Sequence, residues 1–159
     1  MFKMPSKPIR TAAKAIIIEN GCVLLIRCVD QLGDWYLLPG GGQEHGEPLY
    51  DTLVRECREE ASIVVAPGEM VMARDYIAAR HEFAQEEGHV HQLDIFFICT
   101  RVSGEPGVGD VKDEAQTGVE WVSGERLADI RIYPDAVKPQ LLRMLRGLEP
   151  ERRYLGSVN

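Results

Sequence analysis

A chain of 159 residues with 45% hydrophobic and 27% charged side chains is long enough to bury a core and short enough to form one domain. A formal net charge of -7 leaves no basic field to gather nucleic acid, so no stable nucleic-acid partner is expected. The apolar runs fall well short of the roughly 18 residues of a membrane span, and MFKMPSKPIR carries no apolar stretch of the signal-peptide kind, so a soluble, cytoplasmic protein without a membrane partner is expected.

Taken in chain order, 1–10 reads as an N-terminal tail. The β-branched run Ala12 to Ile18 then closes on Glu19-Asn20-Gly21, a hairpin-type turn signal, and Cys22 to Cys28 resumes it. These two segments predict paired antiparallel strands. Trp35 to Leu38 is a short third strand stopped by Pro39 and a loop of three glycines, Gly40 to Gly42. Pro48 suits the first turn of a helix that continues to Ala61. After Pro67-Gly68, strands are expected at Met70 to Ala79 and His91 to Val102, joined by a hairpin loop through His81 and His89.

A loop rich in glycine and acid runs from Ser103 to Gly118, followed by a short strand at Val119 to Val122 and a helical turn at Glu125 to Ile130. A closing helix at Pro134 to Leu148 carries apolar positions at Val137, Leu141, Leu142, Leu145 and Leu148. Residues 149–159 read as a polar tail, frayed or used between subunits. The order β-β-β-α-β-β-β-α over 11–148 predicts an α/β domain with mixed strands and a helix against each face.

Cys22, Cys28, Cys57 and Cys99 form no CxxC pair and sit in or beside apolar runs, which predicts reduced core thiols. His81, His89 and His91 lack the spacing of a compact zinc site with these cysteines.

The chemistry concentrates between Gly40 and Ile63. On a helix, Leu49, Leu53, Cys57 and Ala61 share an apolar side with Tyr50 and Val54, while Glu56, Glu59 and Glu60 occupy a neighbouring arc. Three carboxylates so close repel one another. Arg55, four residues before Glu59, offsets part of that repulsion. A hard divalent cation would offset the rest, because Mg²⁺ takes a few carboxylate oxygens and keeps its other positions for water and phosphate. The glycines before the helix let backbone approach an ion or a phosphate closely.

This segment resembles the Nudix box: glycine, five residues, glutamate, seven residues, then Arg-Glu-aliphatic-x-Glu-Glu-x-Gly-aliphatic. Gly41, Glu47, Arg55, Glu56, Glu59 and Glu60 match at one register, with Cys57 and Ile63 at the first and last aliphatic positions. Leu24 to Arg27, Trp35 to Gly41 and Val119 to Val122 resemble the flanking strands of the MutT-like members. Ser62 departs from the pattern, standing where a glycine in the left-handed conformation ends the helix, so a slightly different helix end is expected.

The resemblance implies a Nudix-like α/β/α sandwich, with a mixed central sheet, the catalytic helix on one face and the C-terminal helix on the other. It implies hydrolysis of a pyrophosphate bond in a nucleotide or nucleoside diphosphate derivative, with Mg²⁺ or Mn²⁺ as cofactor. Glu56 and Glu60 would be the principal metal ligands, joined by the Gly40 carbonyl. Glu59 would hold a further ion or orient water, with Arg55 holding the carboxylates in place and Glu114 as candidate general base. Arg27, Gly41 and Glu47 would serve the substrate, Glu47 as a supporting or second-ion residue. Two other uses of the fold stay open: a nucleotide-binding sensor without turnover, and a prenyl diphosphate isomerase. Family members often dimerise, so a homodimer is open too. Ile77-Ala78-Ala79 stand where ADP-ribose hydrolases of the family tend to carry a proline.

Overall fold

The central strands carry apolar residues without alternation, and the structure shows why: they are covered on both faces. The computed structural model describes residues 7–82, 84–111 and 113–159, so Met1 to Ser6 of the expected N-terminal tail, Phe83 and Lys112 lie outside the described residues. The strands are β1 (Arg10–Ile16), β2 (Ile18–Glu19), β3 (Cys22–Asp30), β4 (Gly33–Leu37), β5 (Gly40–Gly42), β6 (Val64–Ile77), β7 (His91–Ser103), β8 (Gln116–Ser123), β9 (Ile132–Tyr133) and β10 (Tyr154–Ser157). The α-helices are α1 (Leu49–Ala61), α2 (Ala84–Glu87), α3 (Gly124–Asp129) and α4 (Lys138–Leu145).

Two sheets share the strands. One runs β10-β6-β7-β1-β5; the other runs β2-β3-β4-β9, with β8 paired to β3. Pairing is mixed, since β1–β7, β6–β10 and β4–β9 are parallel and the other pairs antiparallel. Along β3, Val23 and Leu25 enter one core while Leu24 and Ile26 enter the other, the period-two alternation of a strand buried on both sides. The first core receives Leu127 of α3 and Leu141 of α4; the second receives Leu53, Cys57 and Ala61 of α1. The result is the expected α/β sandwich, with α1 on one face and the C-terminal helices on the other.

Several local expectations change. The predicted hairpin is reduced to Ile18↔Val23 and Glu19↔Cys22, because the chain passes from one sheet to the other at the fully buried Ile17 and β1 pairs with β5 and β7 instead. The strand expected at Met70 to Ala79 begins earlier: β6 spans Val64–Ile77 and absorbs Pro67-Gly68 where the register against β7 shifts, a position that tolerates a missing N–H.

The expected glycine loop is strand β5, with Ala12↔Gly42, Ala13↔Gly41 and Lys14↔Gly40 in register. The connection through His81 and His89 contains the short helix α2. The closing helix is a 3-10 turn at Asp135–Val137 followed by α4, and Leu148 is exposed. The tail is not free: β10 pairs parallel to β6 and buries Leu155.

Candidate active site

Helix α1 is held at its C-terminal end by an irregular loop. The last carbonyls of a helix lack intrahelical partners. Here Ser62 N–H donates to the Arg58 carbonyl and Ile63 N–H to that of Cys57, at 3.2 and 3.4 Å. Amides at alternate positions of the loop take the rest: Gly107 to Ala61, Gly109 to Glu60 and Val111 to Glu59, at 3.1, 3.1 and 3.3 Å. The Gln116 side-chain amide adds a 2.9 Å bond to the Glu60 carbonyl. A Cβ at Gly109 would stand 1.8 Å from the Glu59 carbonyl oxygen, so only glycine permits this approach.

Ser62 itself adopts φ 59° and ψ 27°, the left-handed conformation. The expectation of a different helix end is therefore corrected: serine takes the conformation glycine would take, and the surrounding bonds hold it there.

Arg55 ties the acidic residues together. Its Nε donates to Glu47 Oε2 at 2.7 Å, one terminal nitrogen donates to Glu56 at 2.8 Å and Glu59 at 3.3 Å, and the other to Glu47 Oε1 and the Gly42 carbonyl, both at 3.0 Å. Thr52 Oγ1 donates a further 2.6 Å bond to Glu47. These partners, Arg55 first and Thr52 next, hold the Glu47 carboxyl down at about 2, and the carboxylates in turn raise the Arg55 pKa. Glu47 is thus taken up by its neighbours and does not line the cleft; its place is in the support of Arg55.

The cleft itself measures about 380 Å³ and brings Glu56, Glu59 and Glu60 of α1 together with Gly40, Gly41 and Gly42 of β5. Gly40 N–H donates to Glu60 Oε2 at 3.2 Å. A Cβ on Gly41 would lie 2.6 Å from the Glu56 carboxylate, so the bare backbone makes the room in which that group sits. Burial pushes the Glu60 carboxyl up to about 7, with Glu56 and Asp113 adding repulsion against the pull of Lys14 and the Gly40 N–H.

Four further polar residues line this cleft that sequence reasoning passed over. Arg10 and Lys14 arrive on β1, an even number of residues apart and hence on one face; Gln92 stands beside Arg10 in the parallel register of β7. Asp113 reaches the cleft from the loop that caps α1.

Two predicted residues are elsewhere. Arg27 does not line the cleft, because its guanidinium is spent on Asp34 at 2.8 Å and Glu120 at 3.5 Å. Glu114 is exposed and its neighbour Asp113 takes the position expected of it. The histidines do not gather: His91 Nε2 bonds Asp75 at 3.0 Å, His81 stacks on Tyr76 and His89 is exposed. The cysteines are free, and burial pushes the thiols of Cys28 and Cys99 up to about 11.

A two-core α/β sandwich that feeds a glycine strand into a glutamate-bearing helix is the Nudix type of scaffold. The NUDIX domain family model matches residues 8–143, and the chain belongs to that family. It is 29% identical over 145 residues to the nucleoside triphosphatase NudI of Salmonella heidelberg, covering 87% of this chain and 97% of that one. The fold matches the crystal structure of a MutT NUDIX hydrolase from Burkholderia pseudomallei with a TM-score of 0.66 at 24% identity, over 82% of this chain and 95% of the other. An ADP-ribose pyrophosphatase from Streptococcus suis matches with a TM-score of 0.63 at 19% identity, over 92% and 99%. Among the described residues, no helix is long and apolar enough to cross a membrane.

Proposed function

We propose that this protein is a metal-dependent hydrolase of the pyrophosphate bond in a nucleotide or nucleoside diphosphate derivative. One observation carries the reading: a single cleft holds three carboxylates of α1 and two cations of β1, Arg10 and Lys14. A pyrophosphate is repelled by the former and attracted by the latter, so it enters such a cleft with cations interposed.

Among the described residues, no three acidic, histidine or cysteine side chains stand close enough together to grip an ion as they are. Glu56 and Glu59 lean instead on Arg55. The donor chemistry nevertheless fits a hard divalent cation. The oxygens belong to carboxylates, the bare backbone of Gly41 makes the room in which Glu56 sits, and Glu60 is a desolvated carboxylate with no ion pair among the described residues. Glu56 and Glu60 would be the principal ligands of Mg²⁺ or Mn²⁺, with Glu59 and the Gly40 carbonyl beside them. Bound there, the ion would polarise a phosphoryl oxygen and lower the pKa of a water.

The chain's own groups supply the rest. Arg10 and Lys14 bind non-bridging phosphate oxygens. Arg55 keeps Glu56 and Glu59 from splaying apart. Asp113 enters the same cleft as a proton acceptor for the attacking water, the role first assigned to Glu114. The likeness to a nucleoside triphosphatase supports a nucleotide as substrate.

The test is hydrolysis of a panel of nucleotides and nucleoside diphosphate derivatives with Mg²⁺ or Mn²⁺, followed by product analysis. Hydrolysis products are expected, and Glu56→Gln and Glu60→Gln should each lower kcat by about 100-fold or more. Unchanged rates in both variants overturn the site. Tight nucleotide binding without turnover would make the protein a sensor; rearrangement of a prenyl diphosphate without cleavage would make it an isomerase.

A further inference from the structure

The turn that carries Asp113 into the cleft is held by a buried side chain, that of Gln116. At 3% exposure, Gln116 is one of the few polar residues in the interior. Its main-chain N–H closes the turn on the Asp113 carbonyl at 3.0 Å, and its side-chain Nε2 donates to the Glu60 carbonyl at 2.9 Å. A single residue therefore joins the main chain of the proton acceptor to that of a metal ligand. Val29 N–H of β3 pins the same turn through the Ala115 carbonyl at 3.0 Å.

Two observations separate this contact from ordinary bracing of a helix end. The end of α1 is satisfied without it, because every carbonyl from Cys57 to Ala61 has a main-chain donor and that of Glu60 already receives Gly109 N–H. The strand also carries an extra residue that aims Gln116. Arg27 pairs with Gly118 but Cys28 pairs with Gln116, so Thr117 is left over as a bulge. With unbroken alternation Gln116 would share the face of Gly118 and Glu120. The bulge turns it to the face of Val119, where α1 packs.

Asp113 depends on such a hold. Its carboxylate has no hydrogen bond or ion pair among the described residues, so it stands where its main chain puts it. The Cys28 thiol, opposite Gln116, feels the charge of both Asp113 and Glu60, which places the two carboxylates at the same end of β3.

We infer that Gln116 is a positioning residue that sets the Asp113 carboxylate against Glu60; the inference rests on the pyrophosphate-hydrolase reading. In that reaction the water oxygen bonds to phosphorus, the bridging P–O bond breaks, and the water proton passes to Asp113. Such a transfer is sensitive to displacements of about 1 Å. Gln116 does not line the cleft and acts only through the turn. Methionine has the length of glutamine without the donor, and glutamate would turn acceptors on the Glu60 carbonyl.

The test is a double-mutant cycle. Gln116→Met conserves volume and leaves the Glu60 carbonyl its Gly109 donor, so the fold should hold. Asp113→Asn should lower kcat about 100-fold, and Gln116→Met about tenfold at nearly unchanged KM. Since Gln116 acts through Asp113, adding Gln116→Met to Asp113→Asn should lower kcat no further. Additive losses, or a wild-type kcat in Gln116→Met, overturn the inference.

Mn²⁺ alone gives a readout that needs no turnover. In nitrogen-15-labelled protein, trace Mn²⁺ should broaden the amides of Gly40 and Asp113. Gln116→Met should weaken the broadening at Asp113 while leaving that at Gly40, and the Mn²⁺ affinity, as in wild type. Unchanged broadening at Asp113, or a parallel loss at both amides, overturns the inference as well. Should Gln116→Met not fold, Gln116→Asn, one methylene too short for the bond to Glu60, is read by the same measurements. Weakened broadening at Asp113 in a protein that cleaves no pyrophosphate would keep the role of Gln116 and remove the hydrolase reading. Cleavage with an additive cycle would keep the hydrolase and remove the role.

Discussion

Arg55 grips Glu47 at two points, Nε to Oε2 at 2.7 Å and a terminal nitrogen to Oε1 at 3.0 Å, and thereby fixes the start of α1 to the middle of the same helix. The remaining terminal nitrogen reaches Glu56 and Glu59, so one planar fork holds three carboxylates. Lysine has the charge but not the fork. Arg55→Lys should therefore cost about 2 kcal/mol of stability, several degrees in Tm, and lower kcat more than it raises KM. Thermal melts and steady-state kinetics on the same preparations check both. A variant with wild-type Tm and kcat would show that Arg55 is only a surface charge.

The same clasp has a pH signature. The Glu47 carboxyl is held at about 2 in the folded chain by Arg55 and then Thr52, and it ionises near 4.5 when unconstrained. The unfolded chain thus binds the proton more readily, and stability rises with pH through that window. The contribution is full above about 4.5 and fades as the pH falls towards 2. Urea titrations at pH 5 and pH 2.5 should show a smaller loss of stability in Glu47→Gln than in wild type, because the variant has no carboxylate there to protonate.

Glu60 works in the opposite direction. Burial, then repulsion by Glu56 and Asp113, lifts its folded pKa to about 7. Between 4.5 and 7 the folded chain is the better proton binder, so metal-free protein loses stability as the pH rises through that range. Glu60→Gln should flatten this slope in melts run with chelator. A divalent ion bound at Glu60 competes with the proton, so its affinity should climb by up to about tenfold per pH unit below 7 and level off above. Mn²⁺ titrations at pH 6 and pH 8 read this directly, and equal affinities would remove Glu60 from the ligand set.

Two glycines separate the demands of catalysis from those of folding. At Gly41 a Cβ would meet the Glu56 carboxylate, the far end of a flexible side chain; at Gly109 it would meet the Glu59 carbonyl oxygen, which is backbone. Gly41→Ala should therefore leave Tm within a few degrees while lowering kcat/KM at least tenfold through a displaced Glu56. Gly109→Ala should push the capping loop off α1 and cost about 1–3 kcal/mol, with activity falling as Asp113 leaves the cleft. The reverse pattern, a stable Gly109→Ala and an unfolded Gly41→Ala, would refute this account of the loop.

Why some of this was legible in the sequence and some was not follows from what each feature depends on. The apolar side of α1 and the arc of Glu56, Glu59 and Glu60 depend on helical spacing alone, which is written in the residue order. Arg10 and Lys14 depend on β1 leaving the expected hairpin to lie between β5 and β7, and a β-branched run does not state its partner. The cap on α1 depends on main-chain amides of Gly107, Gly109 and Val111, and amides carry no side-chain signature. Asp113 rather than Glu114 enters the cleft because of how that irregular loop turns, where neither period two nor period 3.6 applies. β10 escaped notice because four residues with one buried leucine resemble a polar tail.

Ser62 supplies the last prediction. It is one of two described non-glycine residues with positive φ, at 59°, and it carries the amide that closes α1 onto the Arg58 carbonyl. A side chain in the left-handed region costs about 1–2 kcal/mol, and glycine would remove that cost while giving back part of it through a more flexible unfolded chain. Ser62→Gly should therefore stabilise the protein by about 0.5–1 kcal/mol, raising Tm by a few degrees. Ser62→Ala should not, since alanine keeps the Cβ that the conformation disfavours. Because Ser62 points no oxygen at the cleft's carboxylates through any hydrogen bond among the described residues, kcat in both variants should match wild type. A glycine variant that melts lower than wild type would show that the serine hydroxyl, not the backbone conformation, holds this helix end.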